Sequence, residues 1–122
     1  MLSIIPKPKS VYDYGDKSSL CGKEAKSFIK RKNDGSLPDE GYRLSIDESG
    51  IVISSSGDKG YHYALETLKQ LEAQSGDSLP CVIITDEPLF PYRGFHLDCA
   101  RHFFTVDEIK RLIDAASMFK FN

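Results

Sequence analysis

The segment Phe90–Phe104 constrains the fold most, because Arg93, Asp98 and Arg101 interrupt an otherwise apolar, aromatic-rich run with the pattern of a buried strand and its exit. An ionised side chain withdrawn from water costs several kcal/mol unless it is paired. Charges in such a run are kept for an ion-pair lattice or for ligand binding, so this segment is where the chain is expected to carry chemistry. Thr105-Val106-Asp107-Glu108 follows with the form of a capping box, in which hydroxyl and carboxylate each satisfy one orphan amide of a first helical turn. Val106, Ile109, Leu112, Ile113, Ala116 and Phe119 then recur at helical spacing, with Lys110, Arg111 and Asp114 between them. Strand, short charged loop and amphipathic helix make one βα unit. A lone βα unit cannot bury both faces of its strand without a parallel neighbour and its crossover helix. The sequence stops at Phe121-Asn122, where the next strand would begin, and the chain reads as truncated.

Upstream, Tyr42, Leu44 and Ile46 alternate with Arg43, Ser45 and Asp47, and after the turn Glu48-Ser49-Gly50 the alternation resumes with Ile51 and Ile53. That is a hairpin with one buried face. Residues 56–60 break it, and Tyr61, Ala64, Leu65, Leu68 and Leu71 predict a helix across that face, ended by Gly76. The β-branched run Cys81–Thr85 is too short for a helix and predicts a further, central strand. Residues 12–40 are rich in Lys, Asp, Ser and Gly, with a short helix expected from Lys23 to Lys32 around Phe28 and Ile29. The fold class is therefore α+β: a small antiparallel sheet with packed helices, then the first βα unit.

Composition excludes several functions. The formal net charge of -2 argues against a dedicated nucleic-acid binder, and the basic cluster Lys30-Arg31-Lys32 lacks interleaved aromatics and reads as a solvated helix end. Cys21, Cys81 and Cys99 are odd in number and show no C-x-x-C spacing, so they predict neither a disulfide framework nor a zinc site and read as buried small apolar residues. His96 and His102 have no third ligand at metal spacing, and no metal or cofactor is expected. No apolar run approaches the roughly 20 residues a membrane span needs. Pro6 and Pro8 break the opening segment, so no signal peptide is read and a cytoplasmic location is expected, or a secreted one if a leader has been removed.

Further residues carry a resemblance. Asp86, Pro88, Phe90, Tyr92-Arg93-Gly94, Leu97-Asp98 and Arg101-His102-Phe103-Phe104, followed by Ile109-Lys110-Arg111, Ile113-Asp114, Lys120 and Asn122, resemble the entry into the catalytic barrel of glycoside hydrolase family 20, the β-N-acetylhexosaminidases. Gly41-Tyr42, Leu44, Ile46, Gly50-Ile51, Ile53, Gly60, Tyr63-Ala64-Leu65, Thr67-Leu68, Gln70-Leu71 and Leu79–Ile84 resemble the small α/β domain that precedes that barrel. The likeness covers 41–122, with Leu89 standing where the family often has Arg. It implies a supporting domain over 1–88 and, over 89–122, the first strand and helix of a truncated (β/α)8 barrel. The implied function is exo-acting, retaining removal of terminal N-acetylglucosamine or N-acetylgalactosamine from glycans by substrate-assisted catalysis. The alternatives are a non-catalytic carbohydrate-binding or interaction module and a family member that releases a disaccharide.

The resemblance also assigns sites. It gives Arg93 the hydroxyls of the terminal N-acetylhexosamine, a task suited to a planar fork of donors. Gly94 beside it would admit neighbouring backbone. Asp98 and Arg101 are read as an ion pair fixing the strand exit. The family's catalytic Asp-Glu pair lies beyond residue 122, so no catalytic residue is named and the chain alone is expected to be inactive. Four Asp-Glu pairs do occur, at Asp39, Asp47, Asp86 and Asp107, and each reads as a loop, turn, linker or cap. Phe90, Tyr92, Phe95, Phe103 and Phe104 read as strand core or as a sugar-stacking platform. The expected partners are N-acetylhexosamine-containing glycans, with neither nucleic acid nor membrane. The apolar helix face from Val106 to Phe119 is expected to fold back or to pair with a second copy of the chain.

Overall fold

The structure is a computed structural model that describes residues 2–18, 20 and 24–122. The chain divides into two compact units, Met1–Pro88 and Leu89–Asn122. The first carries strands β1 (Ser10–Lys17), β2 (Ile29–Asn33), β3 (Tyr42–Asp47), β4 (Gly50–Ser55) and β5 (Pro80–Asp86), with helix α1 (Asp58–Ser75) between β4 and β5. The second carries helix α2 (Val106–Met118). Neither described helix is long and apolar enough to cross a membrane.

The strands form one sheet in the order β1-β5-β3-β4-β2. The β1–β5, β5–β3 and β3–β4 pairs are antiparallel, whereas β2 runs parallel to β4 at the far edge. The β3–β4 hairpin has the expected register, Leu44 facing Ile53 and Ile46 facing Ile51. Its turn is held by Asp47, whose Oδ1 accepts from the Ser49 N–H at 2.7 Å. With Val82 and Ile84 of β5, those four side chains are fully buried on the face that α1 covers. Each contributes roughly 1.5–3 kcal/mol by leaving water.

Helix α1 presents Tyr63, Ala64, Thr67, Leu68 and Leu71 to this core. Its polar contacts are placed as specifically. The Tyr42 hydroxyl on β3 lies 2.6 Å from Thr67 Oγ1 and donates to Asp86 Oδ2 at 3.2 Å, linking helix, sheet centre and the end of β5. Burial, and then the Asp86 charge, holds the Tyr42 phenol well above its usual pKa, so it stays a neutral donor. On the outer side of α1, the Gln70 carboxamide exchanges hydrogen bonds with the backbone of Ile5 and the Gln74 carboxamide with that of Ser3, fastening the N-terminal segment to the helix.

The edges differ from the expectation. The helix expected over Lys23–Lys32 is a single 3-10 turn, Ala25–Phe28, followed by strand β2; Lys23 and Cys21 lie outside the described residues. Lys30-Arg31-Lys32 is therefore an edge strand and not a helix end. Parallel pairing places Arg31 opposite Ile53, on the face of α1, where its guanidinium sits 4.5 Å from the Tyr61 ring centre and 2.6 Å from Asp58. The pairing and the cation–π contact outweigh a helix propensity that four residues cannot realise. Strand β1 carries no sequence signature of its own. Its eight residues are all exposed, so no apolar alternation marks it.

Gly60, in the first turn of α1, is buried against β3 and β4. A methyl group there would stand 2.2 Å from the Gly41 carbonyl oxygen and 3.2 Å from Ser55 Cβ. Gly→Ala ordinarily stabilises a helix interior by about 1 kcal/mol. Gly60→Ala should have the opposite sign and destabilise by roughly 1–3 kcal/mol through overpacking. Urea unfolding followed by circular dichroism measures this, and an unchanged or raised midpoint would show that the helix can shift away from β3.

Candidate functional site

The site is assembled where the end of α2 meets the segment that carries Arg93. Helix α2 starts at the expected capping box: Thr105 Oγ1 accepts from the Glu108 N–H at 3.3 Å, and Glu108 Oε2 accepts from the Thr105 N–H at 2.7 Å. It stops in a left-handed turn. The Lys120 N–H donates to the Ser117 carbonyl at 2.9 Å and the Phe121 N–H to the Ala116 carbonyl at 3.1 Å, while Lys120 itself has φ 60°. This is a Schellman motif with lysine at the position glycine usually takes, a choice that costs roughly 1–2 kcal/mol.

That turn aims the Lys120 carbonyl at Arg93, whose Nε donates to it at 2.7 Å, while the Arg93 NH1 group donates to the Phe90 carbonyl at 2.7 Å. A guanidinium at a helix C-terminus also meets the negative end of the helix dipole. Two residues on, Asn122 binds the same segment three times. Its Oδ1 accepts from the Arg93 N–H at 2.9 Å, its own N–H donates to the Arg93 carbonyl at 3.1 Å, and its Nδ2 donates to the Pro91 carbonyl at 2.7 Å. Arg93 is thus held through backbone and guanidinium together. The backbone approach expected at Gly94 is not what lies nearest it: a methyl group there would come within 2.5 Å of the Tyr92 hydroxyl, the tip of an exposed side chain that can swing aside.

Asp98 and Arg101 come together as an ion pair, with Arg101 Nε 3.4 Å from Asp98 Oδ2. Both are exposed, and Asp98 Oδ1 also accepts from the Ala100 N–H at 2.8 Å, so the pair closes a turn and adds about 0–1 kcal/mol. The buried strand expected between Phe90 and Phe104 does not form. Residues 89–105 are irregular, and Phe90, Tyr92, Phe95 and Phe103 are exposed, because among the described residues no strand lies beside the segment to complete a ladder. Cys99 is likewise exposed and not a core residue, whereas Cys81 is buried on β5 and its thiol is pushed up by burial and then by nearby carboxylates. The apolar stripe of α2 is also open, with Val106 67% and Ile113 55% exposed.

The four Asp-Glu pairs are occupied structurally. Asp39 binds Lys59 at 2.6 Å, Asp47 holds the hairpin turn, Asp86 accepts from Tyr42, and Glu108 caps α2. Among the described residues no group of three His, Cys, Asp or Glu side chains is placed to hold a metal ion. The role of Asn122 was missed in the sequence. Its one signal was the Lys120-x-Asn122 spacing after a helix, which carries no contact information without the fold.

Two family models match. Residues 17–87 fit glycosyl hydrolase family 20, domain 2, and residues 90–122 fit the catalytic domain of the same family. A beta-hexosaminidase of Akkermansia muciniphila is 34% identical over 98% of this chain and 24% of its own length. One from Vibrio furnissii is 46% identical over 69% of this chain and 14% of its own length. The chain thus spans about a quarter of these relatives or less. Among solved structures, a beta-N-acetylhexosaminidase superposes with a TM-score of 0.86 at 31% identity, covering 100% of this chain and 26% of that one. The exo beta-N-acetylglucosaminidase of Vibrio harveyi in complex with N-acetylglucosamine gives 0.85 at 28% identity, covering 98% and 24%.

The cap gives α2 a defined response to acid. The Thr105 backbone N–H first, and its hydroxyl second, hold the Glu108 carboxyl below its ordinary value. A depressed folded value means that the cap's contribution is fully present above the ordinary Glu value of about 4.3 and is lost as pH falls through the folded one. An NMR titration of Glu108 should have its midpoint below that of Glu in an unstructured peptide, and Thr105→Ala should raise it. A midpoint at or above the peptide value would mean that the cap does not persist in solution.

Proposed function

The chain belongs to glycosyl hydrolase family 20, and on that premise we propose that the protein it forms part of removes terminal β-linked N-acetylhexosamine from glycans, acting from the non-reducing end with retention of configuration. The observation that carries the reading is continuity. The domain 2 match and the catalytic-domain match follow one another in a single chain, and Arg93 is the fourth residue of the second. Relatives named beta-hexosaminidase support the substrate class.

In the proposed reaction the acetamido oxygen of the bound sugar attacks its own anomeric carbon as a protonated carboxyl group gives its proton to the departing oxygen. A second carboxylate orients the acetamido group, and water then opens the cyclic intermediate from the face that the leaving group vacated. Neither carboxylate is assigned within this chain. Its contribution is positional: Arg93 offers a planar fork of donors to the sugar hydroxyls, anchored by the carbonyls of Phe90 and Lys120.

Full-length protein should hydrolyse an aryl N-acetyl-β-glucosaminide, and failure on both gluco and galacto substrates would sink the proposal. The isolated 122-residue chain should release no aryl alcohol above a blank preparation. In the full-length protein Arg93→Ala should lower kcat/KM by at least about a hundredfold with the fold intact, since a lost charge-assisted hydrogen bond costs roughly 1.5–3 kcal/mol and a bidentate one more. Unchanged kinetics would remove Arg93 from the sugar site.

A further inference from the structure

We propose that Asn122 is a positioning residue for Arg93, fixing the backbone from which the guanidinium reaches the sugar. The inference rests on the reading of Arg93 as a sugar ligand and adds to it a residue that acts only through Arg93. Three bonds carry it. The Asn122 carboxamide bridges the segment at two points, accepting from the Arg93 N–H at 2.9 Å and donating to the Pro91 carbonyl at 2.7 Å, and its own N–H binds the Arg93 carbonyl at 3.1 Å. Both faces of the carboxamide are used, so oxygen and nitrogen have distinct tasks and no residue with a single function replaces it.

A second observation points the same way. Lys120 is the only non-glycine residue with positive φ among the described residues, and its left-handed turn does two things at once. It delivers the Lys120 carbonyl to Arg93 Nε at 2.7 Å, and it redirects the chain so that Asn122, two residues later, lies alongside Arg93. A left-handed lysine is unfavourable by itself and persists where surrounding contacts over-determine it. Here those contacts converge on Arg93, on its guanidinium from Lys120 and on the main chain at Arg93 and Pro91 from Asn122. Arg93 has a long, flexible stem, and a donor fork gains most in a transition state when its orientation is set before the substrate arrives.

The test is a double-mutant cycle in the full-length protein, with kcat/KM on an aryl N-acetyl-β-glucosaminide as readout and thermal midpoints measured alongside. Asn122→Ala should lower kcat/KM by about ten- to a hundredfold in the native background, the scale expected for displacing a catalytic-site group by about 1 Å. In the Arg93→Ala background the same change should alter kcat/KM by less than about twofold, because nothing is left for Asn122 to position. An equal loss in both backgrounds, or no loss in the native one, overturns the proposal while leaving Arg93 as the sugar ligand. A native-like rate for Arg93→Ala overturns the sugar-ligand reading first and this one with it. If Asn122→Ala does not fold, Asn122→Asp keeps the acceptor for the Arg93 N–H and loses the donor to Pro91. Its loss should be smaller than a hundredfold and again confined to the background that retains Arg93; a loss that persists without Arg93 counts against the proposal.

Discussion

Helix α1 reaches the sheet because Gly60 lets its first turn rest on the Gly41 carbonyl, closer than any side chain at that position would permit. The rest of the first unit follows from that approach. It brings Thr67 within 2.6 Å of the Tyr42 hydroxyl, and it lays Leu68 and Leu71 over the β3–β4 hairpin. It also presents Asp58 and Tyr61 to Arg31, so that the outermost strand is held to the helix as well as to its neighbour. The N-terminal segment depends on it too, since Gln70 and Gln74 can pair with the backbone of Ile5 and Ser3 only from a helix already seated.

The second unit is organised from its helix ends. The apolar face of α2 stays open, so its definition comes from the capping box at one end and the Schellman turn at the other. Caps contribute about 1 kcal/mol each, little beside a core, but they set direction: one points the chain into the helix and the other points it back at Arg93. A β-strand followed by an amphipathic helix is the unit from which (β/α)8 barrels are built, the apolar stripe being the face such a helix lays on its strands; of that unit α2 is formed here, and the segment before it is irregular.

The charges in the Phe90–Phe104 segment divide by what surrounds them. Asp98 and Arg101 are solvated and pair across a turn, where water screens the attraction and little stability results. Arg93 is half-buried, and its guanidinium donates to the backbone carbonyls of Phe90 and Lys120.

Sequence alone determined the elements that bury a periodic apolar face. Leu44, Ile46, Ile51 and Ile53 mark a hairpin at period two, Ala64, Leu68 and Leu71 mark a helix at period 3.6, and the Thr105-to-Glu108 spacing marks a helix start. These patterns are local: burial of one face enforces the first two, and the hydrogen bonds of the cap itself enforce the third. Strands β1 and β2 were not legible, because edge strands are specified by neighbours distant in sequence: Val11 pairs with Ile84, and Arg31 with Ile53. The site shows the same division. Arg93 stood out as a charge in an apolar run, but the Asn122 clamp joins positions 29 residues apart through a left-handed turn at Lys120 that no side-chain pattern encodes. Hydrogen bonds of that kind depend on where the backbone has already been carried, and only the folded chain decides that.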